Sequence, residues 1–291
     1  MSWRVVIVTR VPQVLAGFDA VLQALGHETV ALLTIRSPDD PTDADIELVL
    51  RAPEALDVLL PARRSTIAPL LAAVQPDLVV CMGFPWRVPP EALAVPRLGW
   101  LNGHPSLLPA HRGPLPVAWA IRAGDEEIGI TFHRMDAELD TGPILSQRPF
   151  ALAGLEAPDS FYGRFGEVIG EALAEALQRL AAGEEGTPQE EGGSYESFFS
   201  AEDAWIDLSG PAAEVHRLVW AWLYAFFPGG GARGALLELD GKPVRVLATS
   251  LTEVEGARRL DCADGPLWLV ETEELSEEEA SRSSAPAPST R

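Results

Sequence analysis

Lysine is nearly absent from this chain of 291 residues: Lys242 is the only one among 22 basic side chains, the rest being arginine. Set against 43 Asp and Glu, that leaves a formal net charge of −21. So acidic a balance argues against broad contact with phosphate backbones, which needs clustered cations, and against anionic membrane surfaces. Cysteine is also scarce. Cys81 and Cys262 are too few for a disulfide framework, and they suit a reduced, cytoplasmic setting. No apolar run reaches the ~18 residues that span a bilayer, and the N-terminus lacks the shape of a signal peptide. There is no internal repeat. No Cys, His and carboxylate cluster has the spacing of metal ligands, so no metal is expected. The first strand is followed by Thr9-Arg10-Val11-Pro12-Gln13, without the glycines of a dinucleotide-binding turn.

Hydrophobic residues make up 47% of the chain, enough for a globular core, and the length suits two domains. Residues 3–8 predict a buried strand, 13–25 a helix stopped by Gly26, and 29–35 a second strand. That β-α-β opening predicts parallel strands with a right-handed crossover. Strands are expected again at 77–82, 98–101 and 128–133, helices at 65–74, 115–123 and 160–182, and an acidic loop at 37–45. The alternation predicts an α/β domain over residues 1–182 with an open, mostly parallel sheet. Residues 183–194, rich in Glu and Gly and without apolar period, read as a linker. A helix at 212–224 and strands at 235–239, 244–250 and 267–271 follow, with Asp240-Gly241 as a hairpin turn. They predict a small β-rich domain over 195–272, and the acidic, then Ser/Ala/Pro-rich tail of 273–291 is expected to be disordered and dispensable.

Reactive side chains concentrate in two places. Asn102 and His104 stand two apart just past the strand at 98–101, so in extended backbone they face the same side. Open parallel sheets bind ligands beyond the carboxyl ends of their strands. Asp140 lies in the loop after the strand at 128–133, which can return it beside His104. An amide, an imidazole and a carboxylate together can stabilise a developing oxyanion and move protons during attack on a carbonyl-like carbon. Each alone has a plain structural reading: a turn at Asn102-Gly103, a satisfied loop histidine, a cap before Gly142. A Ser-His-Asp arrangement through Ser106 stays open, although Ser106 lacks a nucleophile-elbow context.

Taken in order, Asn102-Gly103-His104, Pro105-Ser106-Leu107-Leu108-Pro109, Arg112-Gly113, Gly124-Asp125, Met135-Asp136 and Leu139-Asp140-Thr141-Gly142 resemble the 10-formyltetrahydrofolate-dependent formyltransferase family. The resemblance implies a Rossmann-like formyltransferase domain, a small OB-like C-terminal domain similar to that of methionyl-tRNA formyltransferase, and 10-formyltetrahydrofolate as co-substrate. It implies a catalytic triad of Asn102, His104 and Asp140. It places the folate against Phe84, Trp86, Arg87 and Val88, and against Asp136 and Leu139 of the second loop. His104 and Asn102 would stabilise the oxyanion. Asp140 would hold His104 charged and relay the amine's proton.

The acceptor is a separate question. Residues 37–47, where the tRNA-acting members have a longer basic loop, carry five carboxylates and no base. Residues 195–291 hold 17 Asp and Glu against 8 Lys and Arg. His133 and Arg134 replace apolar or neutral residues common in the family at those places. A small-molecule amine is therefore the favoured acceptor, with methionyl-tRNA second. Water as acceptor, giving a deformylase, and a folate-binding protein with a vestigial site are the alternatives.

Overall fold

The computed structural model describes residues 2–35, 44–152, 157–200, 202–225, 234–276 and 279. Its larger sheet contains β1 (Arg4–Val8), β2 (Glu28–Leu33), β3 (Asp57–Leu59), β4 (Leu78–Cys81), β5 (Trp100–His104), β6 (Glu127–Arg134) and β7 (Ile144–Ala151). The strand order is β3-β2-β1-β4-β5-β6-β7. Strands β1 to β5 pair in parallel, whereas β6 and β7 are antiparallel to their neighbours.

The short apolar runs of β1 and β4 take the middle, where both faces must be covered. The pleat divides them. Val5, Ile7, Leu78 and Val80 join the core under α1 (Pro12–Ala24) and α6 (Pro158–Ala181). Val6, Val8, Val79 and Cys81 join the opposite core, with α3 (Ile67–Val74) and α4 (Pro90–Leu93). Between β2 and β3 stands α2 (Ala44–Arg51), and α5 (Pro116–Ala123) precedes β6.

A four-stranded antiparallel sheet forms the C-terminal part, in the order β10-β11-β9-β8. Its strands are β8 (Ala235–Leu239), β9 (Lys242–Ser250), β10 (Arg258–Cys262) and β11 (Gly265–Glu274). Asp240 and Gly241 both have positive φ, 53° and 78°, as a two-residue hairpin turn of type I′ requires. Helix α7 (Ala212–Tyr224) lies against this sheet and against α5, so the two parts share one apolar core. Phe199 packs on both Trp119 and Trp222, and Arg122 pairs with Asp203 at 2.9 Å.

Several local expectations change. Helix α2 begins inside the stretch read as an acidic loop, and residues 36–43 of that loop lie outside the described residues. Strands β3, β7 and β10 and the single turn α4 had no clear period in the sequence. The strand expected to stop at Leu101 continues to His104, so Asn102 and His104 lie within β5 and not past its end. Ladder pairing decides this, with Cys81 opposite Asn102 on one side and Phe132 opposite Gly103 on the other, and overrides the weak strand preference of Asn-Gly-His.

Strand β11 reaches Glu274, two residues beyond the expected boundary at 272. Glu273 and Glu279, both assigned to a loose tail, bond the guanidinium of Arg245 at 2.6 and 2.7 Å. Residues 277, 278 and 280–291 lie outside the described residues.

Candidate active site

Strand pairing assembles the centre. In the β5/β6 ladder, Asn102 stands opposite His133 and His104 opposite Thr131. The loop from β6 to β7 carries Asp140 back over them, with its backbone in the left-handed region at φ 57°. Asn102 Nδ2 lies 3.4 Å from Asp140 Oδ1, and His104 Nδ1 lies 3.6 Å from the same oxygen. The three residues singled out in the sequence therefore converge on one carboxylate oxygen.

Each is held from behind. His104 Nε2 donates to the His111 carbonyl oxygen at 2.8 Å. A carbonyl oxygen only accepts, so the proton of a neutral ring sits on Nε2 and the Nδ1 lone pair faces Asp140. Asp140 Oδ2 accepts the Gly113 N–H at 3.0 Å. The loop after His104 is tied to β6 through Thr131, which donates to the Ser106 carbonyl at 2.7 Å and accepts the Leu108 N–H at 3.2 Å. Ser106 itself is fully buried, and its hydroxyl donates to the Ala110 carbonyl at 2.7 Å. That geometry gives it no part in a Ser-His-Asp arrangement.

The electrostatics separate the pair. Burial pushes Asp140 up, but His104, His133 and the Gly113 N–H outweigh it and hold the carboxyl at about 2. His104 goes down from the usual 6.5: burial is the largest cause, and Asp140 and the His111 carbonyl only partly offset it. The ring is thus neutral at pH 7, which corrects the expectation that Asp140 keeps it charged. Desolvation of a ring 5% exposed exceeds the pull of a carboxylate 3.6 Å away whose charge is already shared with N–H donors.

One residue at the centre was not proposed from the sequence as a participant. His133 Nδ1 donates to the Arg134 carbonyl at 2.9 Å, and its Nε2, 3.2 Å from Asn102 Nδ2, accepts the amide N–H. This bond orients the Asn102 side chain. The signal available was the departure at position 133. The pairing that places it beside position 102 is not readable from one strand alone.

The residues expected to hold folate separate into groups. Arg87 and Leu139 line a cleft of about 360 Å³, together with Arg112, Glu138, Thr141 and Tyr195. Leu139 and Thr141 flank Asp140 in sequence, so the cleft opens beside the centre. Leu139 is 45% exposed and Tyr195 60%. Arg87 also ties its loop to the Asp140 loop, bonding the Ala137 carbonyl and Glu138. The Asp136 carboxylate turns into its own loop, accepting the Glu138 N–H at 3.0 Å and the Thr141 hydroxyl at 2.9 Å. Val88 is buried in the core beneath β1 and β4, and Phe84 and Trp86, edge to face at 6.0 Å, pack against that core. These three do not line the cleft.

Residues 47–177 match the formyl transferase family. Methionyl-tRNA formyltransferase of Pseudomonas fluorescens (strain SBW25) is 35% identical over 256 residues, covering 84% of this chain and 78% of that protein. The fold is similar to a 4-N formyltransferase from Francisella tularensis, with TM-score 0.67, 18% identity, and coverage of 87% of this chain and 99% of that one. It is also similar to HypX from Aquifex aeolicus in complex with tetrahydrofolic acid, with TM-score 0.68 and 20% identity. That likeness covers 96% of this chain, which spans less than half (45%) of the HypX chain. The shared sequence over most of both lengths in the Pseudomonas relative decides the matter: the chain belongs to the 10-formyltetrahydrofolate-dependent formyltransferase family and is a formyl-transferring enzyme.

Proposed function

We propose that Asn102, His104 and Asp140 carry the transfer and that the acceptor is the amine of a small molecule. The donor, 10-formyltetrahydrofolate, supplies a formyl carbon whose oxygen gains negative charge as the amine attacks. The cleft suits its parts: Leu139 and Tyr195 offer apolar surface to a flat ring, and Arg112 offers a cation to carboxylates.

The Asn102 amide is aimed by His133, and its 3.4 Å contact to Asp140 is long enough to give way to a better acceptor. That acceptor is the charged formyl oxygen, and one such donor is worth ~3–4 kcal/mol. His104 begins neutral. Its Nδ1 and Asp140 Oδ1, 3.6 Å apart, hold between them the place for one proton. On taking the proton that the amine loses, the ring becomes an imidazolium beside a carboxylate, and the enclosed site strengthens that attraction. As the bond from the formyl carbon to N10 of the donor breaks, the imidazolium gives that proton to N10, so tetrahydrofolate and the formylated amine leave and His104 is neutral again.

The acceptor reading rests on one observation. The arginines of the C-terminal sheet are already neutralised: Arg245 by Glu273 and Glu279, Arg258 by both oxygens of Asp240 at 2.6 and 2.9 Å, and Arg259 by Asp261. Cations so paired are poorly placed to replace counterions on a phosphate backbone. Methionyl-tRNA is the second reading, favoured by the names of the sequence relatives.

The test is a competition. The purified enzyme and 10-formyltetrahydrofolate are offered methionyl-tRNA together with amino sugars, hydroxyornithine-type amines and peptide amines, with formate release followed in parallel. Preferential formylation of a small amine is expected. Faster formylation of methionyl-tRNA would reverse the choice, and formate release unaffected by any amine would make the enzyme a deformylase.

A further inference from the structure

The segment between α6 and α7, which has no helical or strand period, is laced to the reaction centre. Thr187 exchanges two backbone hydrogen bonds of 2.8 Å with Ile144. Ser194 accepts the Arg112 N–H on its carbonyl (3.1 Å) and the His111 N–H on its hydroxyl (2.9 Å). At Gly193 an added Cβ would lie 2.2 Å from the Pro109 carbonyl oxygen, so the segment lies in close contact with the loop after β5.

Gln189 spends its whole amide here. Nε2 donates to the carbonyl oxygens of Asp140 and Gly142, both at 2.9 Å, and Oε1 accepts Arg112 Nη2 at 2.7 Å. The same Arg112 donates through Nε to the Asp140 carbonyl at 3.2 Å. The peptide of Asp140, in its left-handed conformation, is thus gripped by two side chains from outside its own loop, one of them from the linker.

We propose that Gln189 is a positioning residue for Asp140: the linker completes the reaction centre by seating the loop that aims the carboxylate at His104 and Asn102. The inference rests on Asp140 being a reacting group, as proposed above.

Gln189→Leu removes all three bonds, and Gln189→Glu keeps an acceptor for Arg112 while losing the N–H donors to Asp140 and Gly142. Both variants are expected to lose about 10- to 100-fold in kcat, the loss typical of a reacting group displaced by about an ångström. KM for donor and acceptor should hardly move, and the melting temperature should stay near that of the parent. Carboxyl carbon NMR of Asp140 in Gln189→Leu, which adds no charge, should show its titration moving to higher pH, because a loosened loop weakens the Gly113 N–H bond; a purely structural role for Gln189 would not shift it. Parental kcat in Gln189→Glu would overturn the proposal, since the work would then lie on Arg112. An unmoved Asp140 titration in Gln189→Leu would overturn it as well. Asp140→Ala is the control. Full turnover there sinks the assignment of Asp140, and the titration still decides whether Gln189 seats it.

Discussion

Three side chains meeting on one carboxylate oxygen behave as a unit, and their removal should show it. Asn102→Ala, His104→Ala and Asp140→Ala are each expected to lower kcat by about 10²–10³-fold while circular dichroism stays unchanged. The double variants should lose far less than the product of the single losses. Parental kcat in His104→Ala would remove the mechanism. The neutral state of His104 sets a pH dependence with a definite sign. The form that accepts a proton is lost only below the lowered pKa, so the acid limb of kcat belongs below 6.5. Asp140 pulls that value upward, so Asp140→Asn should move the limb to still lower pH while the plateau falls. Stability follows the same direction. The unfolded chain binds protons more readily than the native one just below 6.5 at His104 and between 3.8 and about 2 at Asp140, so both contributions are lost as the pH falls through those windows. Melting temperatures across that range, compared with His104→Ala and Asp140→Ala, check this.

Among the elements, the pair β9 and β11 carries the clearest consequence. Arg245 on β9 is only 6% exposed, and its charge is met by Glu273 at the end of β11 and by Glu279 beyond it. Ser276 fastens Glu279 through its hydroxyl and N–H. A tail that composition marks as dispensable thus contributes both partners of a buried cation, one of them beyond the end of β11. Truncation after Glu274 leaves Arg245 with Glu273 alone. It should lower the melting temperature by about 2–4 °C, the shift expected for roughly 1 kcal/mol in a chain of this size, because Glu279 is itself partly solvated. Glu279→Gln in the full chain should reproduce most of that loss. No change in either protein would show that Glu273 suffices. The helix pair α5 and α7 matters differently. It joins both parts in one core, so the two sheets are expected to melt together.

At the scale of the whole molecule, the charge decides which partners can approach. A net −21 with a single lysine opposes a polyanion at long range. At short range, the C-terminal arginines described above are already paired with carboxylates. Titration against methionyl initiator tRNA at two salt concentrations should show no binding tighter than the ~10⁻⁴–10⁻⁶ M of nonspecific contacts, with a shallow salt slope. Binding clearly tighter than that range, with a steep slope, would restore the tRNA reading.

The sequence by itself determined the fold class and the order of the elements around the site, and it singled out Asn102, His104 and Asp140 as candidates. These depend on local signals: short β-branched runs, helical spacing at residues 13–25 and 160–182, and a polar set in fixed order from Asn102 to Gly142. Tertiary structure alone decided what those groups are. Pairing of β5 with β6 brought His133 to Asn102, and burial made His104 neutral. The fold turned Ser106 and Asp136 into local hydrogen-bonding groups and drew Gln189 from a featureless linker onto Asp140. The physical reason is separation. Gln189 and Asp140 stand 49 residues apart, and desolvation measures how completely the rest of the chain encloses a group, so neither leaves a period or a motif in the local sequence.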